Sequence, residues 1–276
     1  MVKRKVMSLL LGLSIFGMLM GAKVQAAEPI KYLDGTASAL QYQYISGEVE
    51  ALQYQAYNVA TERIESIAKN YKGNKPMAVV LDLDETVLNN YGSEIGDYLE
   101  GKSYSEERWT AWVLKEKATT IPGADIFLNT VKNLGIQIYY ISNRSTAEQD
   151  ATIENLKKLG LPSADKEHVL VKTDSSSKQA RVDAVAKNNN IVMFVGDNLG
   201  DFPADFYQKL NNERKGIVEK NKDKFGTEYI ILPNAIYGDW DNATFNYDYT
   251  KTDDQKIQDR VNALKTYNEQ EATKIK

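Results

Sequence analysis

Residues 77–91 read MAVVLDLDETVLNNY. Met77 to Leu81 form a short, continuous apolar run, the pattern of a strand buried on both faces. Three carboxylates, Asp82, Asp84 and Glu85, follow it immediately. Similar runs recur downstream as IQIYYIS at 136–142, HVLVKT at 168–173, IVMFVGD at 191–197 and EYIILPN at 228–234. Helical segments are expected between them at 123–134, 146–159, 177–187 and 202–210, with a helical and loop stretch at 94–118. Strands separated by helices predict an α/β fold, a Rossmann-like, doubly wound and mainly parallel sheet. In such sheets ligands lie beyond the carboxyl ends of the strands, so the acids after Leu81 stand where chemistry is expected.

Upstream, Leu40, Tyr44, Leu52, Ala56, Val59, Ala60, Ile64 and Ile67 recur at helical spacing. They predict helices over 36–72, interrupted near Gly47. Pro76 then opens the first strand. A polar helix is expected over about 252–272. At the amino end, Lys3, Arg4 and Lys5 precede an apolar run from Val6 to Ala22 and small residues near Ala26. That order reads as a signal peptide over residues 1–26, with 27–276 as the mature domain and a secreted, extracellular or periplasmic destination. The alternative is an uncleaved tether, since the run of 17 residues just reaches the ~17 to 25 that span a bilayer.

Composition narrows the chemistry. Without residues 1–26, which hold four basic and no acidic side chains, 30 basic residues face 38 acidic ones, a formal charge of −8. Nucleic acid and anionic membrane are therefore not expected partners. The chain has no cysteine and one histidine, which excludes thiolate nucleophiles, a lipid-bearing cysteine and multi-histidine metal centres. His168 precedes an apolar run and reads as a strand-edge residue. Carboxylates and lysine must then carry any covalent or proton-transfer step.

Those groups stand at strand ends. Asp82 and Asp84 follow the first run, Ser142, Asn143 and Arg144 end the second, and Asp197 ends the fourth with Asp201 four residues on. Lys178 lies near a helix start after the third. Carboxylates without His or Cys suit a hard cation such as Mg²⁺ that shares its coordination with phosphate. The set fits phosphoryl transfer. Asp82 would attack phosphorus, and Mg²⁺ on Asp82 and Asp197, together with Lys178, would offset the charge. Ser142 and Asn143 would donate to the phosphate oxygens, and Asp84 would serve as acid and then base.

VVLDLDETVLNN and IVMFVGDNLGDF resemble the two signatures of bacterial class C acid phosphatases, a branch of the haloacid dehalogenase (HAD) superfamily. YISNRS and the Lys178 segment resemble its intermediate motifs. The likeness runs from about Ser38 to Trp240 and includes RWTAWV and ILPNAIYGDW. It implies an α/β core over about 75–235 with an added helical subdomain drawn from about 36–72, 94–118 and the carboxyl-terminal part. It also implies that Asp82 is the nucleophile and Asp84 the acid and base. Mg²⁺ would be held by Asp82, Asp197 and the Asp84 carbonyl. Asp201 would complete an acidic quartet, with Thr86 in support. The implied substrates are small phosphomonoesters, nucleoside 5′-monophosphates among them, whose base would stack on Trp109, Tyr237 or Tyr91. Many members carry a lipid-bearing cysteine; this chain has none, so tethering does not carry over. The aromatic after the first signature also departs from the pattern, since Tyr91 follows Asn90 directly.

Two other functions remain open at this point: capture of an aromatic ligand on the Tyr-rich helices, and phosphotransfer to an acceptor alcohol. Oligomeric state is also open, a homodimer included.

Overall fold

The structure is a computed structural model that describes residues 35–274. The signal peptide read at 1–26 lies outside the described residues. Helix α1 (Thr36–Ile45) is followed at once by α2 (Gly47–Asn70). Between them Ser46 adopts an extended conformation, and its hydroxyl accepts the Val49 N–H, capping α2.

Five parallel strands form the sheet: β1 (Met77–Leu81), β4 (Gln137–Ser145), β5 (Val169–Lys172), β6 (Asn190–Gly196) and β7 (Tyr229–Ile231). Their order is β5-β4-β1-β6-β7, which puts β1 at the centre between the two directions of winding. A ribbon of β2 (Leu88–Asn89) and β3 (Thr119–Thr120) stands apart from it. Helices α3 (Tyr91–Leu99) and α4 (Glu106–Val113) lie between the two ribbon strands in sequence. The crossovers carry α5 (Ala124–Asn133), α6 (Gln149–Lys158), α7 (Gln179–Asn188) and α8 (Asn211–Lys220). The short α9 (Asp239–Asn242) and the polar α10 (Asp253–Lys274) come last.

Alternation along β1 builds two cores. Val79 and Leu81 join Tyr57 and Ile64 of α2 and Phe127 and Leu128 of α5 on one face. Ala78 and Val80 meet Val182 and Val185 of α7 together with Phe202 and Phe206 on the other. Each fully buried large apolar side chain contributes about 1.5–3 kcal/mol, so the central strand is held from both sides. Leu83, the residue between the two aspartates, is fully buried in the first core. Among the described residues, no helix is long and apolar enough to cross a membrane.

One expected element differs. Residues 202–210 form turns, and the helix begins only at Asn211. Phe202 precedes Pro203, whose ring disfavours helical backbone in the residue before it; Phe202 is extended, at φ −101° and ψ 143°. Gln208 then takes φ +51°, which ends any helical run. Phe202 and Phe206 stand at i, i+4, a helical spacing, but both rings are buried beside Tyr229 rather than on a helix face. Helix α8, polar and interrupted by Gly216, carried too weak an apolar stripe to be recognised.

Candidate active site

The chain leaves β1 through a tight loop in which Glu85 donates its N–H to the Leu88 carbonyl at 2.8 Å, while Leu88 donates back to Leu83 at 2.7 Å. This loop turns the Asp82 and Asp84 side chains into a cavity of about 280 Å³ at the carboxyl edge of the sheet. Asn143, Lys178, Asp197 and Asp201 also line it. Four segments separated by up to 119 positions thus meet at one point.

At its base, carboxylate oxygens of Asp82, Asp197 and Asp201 lie within 4.8 Å of one another. Lys178 bridges two of them, pairing with Asp82 and, at 2.7 Å, with Asp201. Asp197 is oriented by Thr86, whose hydroxyl donates at 3.0 Å, and by the Asn234 amide at 2.8 Å. Asp201 accepts the Asn198 N–H at 3.0 Å. A side chain at residue 196 would collide with Asp201, since a Cβ there would fall 2.3 Å from its carboxylate oxygen. Gly196 is therefore what admits the fourth acid.

Burial pushes Asp82 up to about 7, with Asp201 and Asp84 adding to the rise and Lys178 opposing it. Asp197 is also raised well above the usual carboxylate range, by burial first and then by Asp201 and Asp82. Burial works against charge on Lys178, but Asp201 and Asp82 outweigh it and hold the ammonium protonated. Three converging carboxylates, all oxygen donors, fit a hard divalent cation.

Asp84 has a different setting. Arg144 meets its Oδ1 through Nε at 3.1 Å and Nη2 at 2.8 Å, and the Asn90 amide donates to the same oxygen at 3.0 Å. Ser142 donates to Oδ2 at 3.3 Å. Arg144 is itself buried, anchored on Thr152 at 3.0 Å, and lies 5.5 Å from the centre of the Trp109 ring. The indole N–H of Trp112 holds the Asn90 carbonyl oxygen at 2.9 Å. Asp82 is thus set among acids and an ammonium, and Asp84 among a guanidinium and neutral donors.

Of the residues singled out in the sequence, Asp82, Asp84, Asn143, Lys178, Asp197 and Asp201 line the cavity, as do Trp109 and Tyr237. Thr86 stands behind Asp197. Ser142 is fully buried, with its hydroxyl on Asp84. Tyr91 is not among the lining residues; it is 43% exposed and meets Trp112 edge-on. The strand expected to end at Ser142 runs on to Ser145, with its register to β5 disturbed between Ile141 and Ser145.

Sequence reasoning gave no role to Arg144, Asn90, Glu85, Glu94 or Asn234. Arg144 stood in plain view after Ser142 and Asn143, and a cation at a strand end facing an acidic pair was a usable signal. Glu94, on α3, lines the cavity, and burial raises it to about 7 with help from Asp97 and Asp84.

The model of the family described as HAD superfamily, subfamily IIIB (acid phosphatase) matches residues 20–240 of this chain. Among solved structures, the chain is similar to the class C acid phosphatase from Bacillus anthracis. The two are 39% identical with a TM-score of 0.79, over 83% of this chain and 96% of that one. A structure of the class C acid phosphatase from Bacillus anthracis with tungstate bound agrees equally well, at 38% identity, TM-score 0.79 and the same coverage.

Proposed function

The chain belongs to the HAD-superfamily acid phosphatases of subfamily IIIB, which makes it a phosphomonoester hydrolase, and on that premise we propose an exported, Mg²⁺-dependent enzyme that forms an aspartyl-phosphate. The observation that carries this reading is the convergence of Asp82, Asp197, Asp201 and Lys178 at the base of one cavity. The bound tungstate of the Bacillus anthracis protein, a tetrahedral oxyanion like phosphate, supports a site that accepts such a group.

In this mechanism Asp82 attacks phosphorus in line and the leaving oxygen departs on the opposite side. Mg²⁺, held by Asp82, Asp197 and the Asp84 carbonyl, would supply positive charge against the dianionic phosphate. Lys178 moves part of its pairing from Asp82 to the phosphate oxygens. The Asn143 amide offers a further donor, and its orientation is set by Arg181, which donates to the Asn143 carbonyl oxygen at 2.7 Å. Asp84, steadied by Arg144 and Asn90, gives a proton to the leaving alkoxide. It then withdraws one from the water that releases phosphate from Asp82. Ser142 acts on Asp84 through the hydrogen bond described above.

Nucleoside 5′-monophosphates and aryl phosphates are the substrates we favour. Trp109, Tyr104, Tyr207 and Tyr237 also line the cavity, and stacking on such rings is worth about 1–3 kcal/mol per base. Export belongs to the same proposal and rests on residues 1–26. Amino-terminal sequencing of the protein recovered outside the cytoplasm should begin at Ala27.

The decisive experiment is a turnover screen of aryl, sugar and nucleoside monophosphates between pH 4.5 and 8, with Mg²⁺ or with chelator. Hydrolysis below neutral pH that stops on chelation is expected. Asp82→Asn should lower kcat at least about 10³-fold, the scale on which removal of a nucleophile acts. Near wild-type turnover in that variant would rule out the aspartyl-phosphate.

A further inference from the structure

Glu85 is fully buried and holds φ at +56°, a left-handed conformation that a non-glycine residue keeps only where its surroundings impose it. Those surroundings are hydrogen bonds from three parts of the chain. Its carboxylate accepts the Asn90 N–H at 3.0 Å and the Tyr44 hydroxyl of α1 at 3.2 Å. The Tyr237 hydroxyl donates to its other oxygen. Tyr44 is not among the residues lining the cavity, whereas Tyr237 is.

The neighbouring residue on α1 grips the segment that carries Tyr237. The Gln43 amide donates to the Pro233 carbonyl at 3.0 Å, and its oxygen accepts the Ala235 N–H at 3.2 Å. Gln43 is itself buried. Helix α1 therefore ties two loops together: the one that follows β1 and bears Asp82 and Asp84, and the one that follows β7 and bears Tyr237. Because the Tyr237 hydroxyl is committed to Glu85, the cavity is offered the ring and not a hydrogen bond.

We propose that Glu85 and Gln43 are positioning residues that fix Tyr237 relative to the catalytic loop, and so set selectivity among leaving groups without touching the phosphate. The proposal rests on the reading that Tyr237 walls the leaving-group part of the cavity. A ring anchored at both its hydroxyl and its backbone discriminates by shape. Released from either anchor, it has many orientations, and a flat leaving group loses a preformed wall.

Phenylphosphonate and methylphosphonate share the phosphorus end and differ only in the group beyond it, and neither requires turnover to be compared. Calorimetry with Mg²⁺ present should give a phenyl preference in the wild-type protein. That preference should fall by up to about tenfold in Tyr237→Phe and in Gln43→Ala, the scale of one buried hydrogen bond. Glu85→Leu should do the same. Glu85→Gln, which retains an acceptor and the side-chain shape, should hold the preference within about threefold of wild type. Equal weakening of both ligands, an unaltered preference in Tyr237→Phe and Gln43→Ala, or no phenyl preference in the wild type would each overturn the proposal. Failure to hydrolyse phenyl phosphate while the preference and its loss are observed would count against the phosphatase reading alone and leave the positioning role standing.

Discussion

Glu85, in the loop after β1, and Gly196, at the end of β6, each make a separable prediction. Burial lifts Glu85 to about 8 from an ordinary value near 4.5; Asp84 adds to the rise, and the Tyr237 hydroxyl opposes it. A carboxyl group raised on folding stabilises the native state fully below its unfolded value. That contribution is lost as pH climbs through the folded one. Thermal melts in chelator should therefore fall from pH 5 to pH 8, and Glu85→Gln, neutral throughout, should flatten the decline. An equal slope in wild type and variant would refute this account of Glu85. The second prediction concerns Gly196. Adding a methyl group there must displace the Asp201 carboxylate that pairs with Lys178. A shift of about 1 Å in a catalytic group costs on the order of 10²-fold, so Gly196→Ala should lower kcat by about that factor; a fully active variant would show that Asp201 tolerates displacement.

Elements matter here as the supports of those residues. Helix α2 does more than cover the sheet: the Tyr57 hydroxyl, fully buried, donates to the Thr86 carbonyl at 2.6 Å. The Thr86 hydroxyl in turn holds Asp197. Leaving that carbonyl unpaired in Tyr57→Phe should cost about 1–3 kcal/mol in denaturant unfolding and should lower kcat as well. A stability loss with unchanged kcat would mean that Thr86 stays in place without its anchor. Strands β1, β4 and β6 were legible because buried parallel strands read as continuous apolar runs. The turns at 202–210 were not, because an i, i+4 aromatic pair has the same spacing whether the backbone is helical or two separate segments deliver the rings to one core. Helix α8 was missed for the complementary reason: it buries Arg214 and little else, so its signal lay in a partner, Asp239, 25 positions away.

At the scale of the whole molecule, the central place of β1 in the order β5-β4-β1-β6-β7 gathers the ends of β1, β4 and β6 around one cavity. Such a gathering of acids couples metal binding to folding. Asp82, raised to about 7, and Asp197, also raised well above the usual carboxylate range, must lose protons before they hold a cation. At one fixed concentration, Mg²⁺ should therefore raise Tm less at pH 5 than at pH 8. At a hundred times its Kd the gain is about 2.7 kcal/mol, or roughly 5–10 °C for a chain of this size. A rise that does not depend on pH would exclude these carboxylates as the ligands. The sequence by itself determined the alternating parallel sheet and the positions of Asp82, Asp84, Lys178 and Asp197, because burial pattern and side-chain type are local properties. Only the tertiary structure decided that Asp84 belongs to Arg144, that Lys178 bridges Asp82 and Asp201, and that Glu85 ties Tyr44 to Tyr237. Each of the last two joins residues at least 23 positions apart, and a partner brought in by the fold leaves no mark on the residues beside it in the chain.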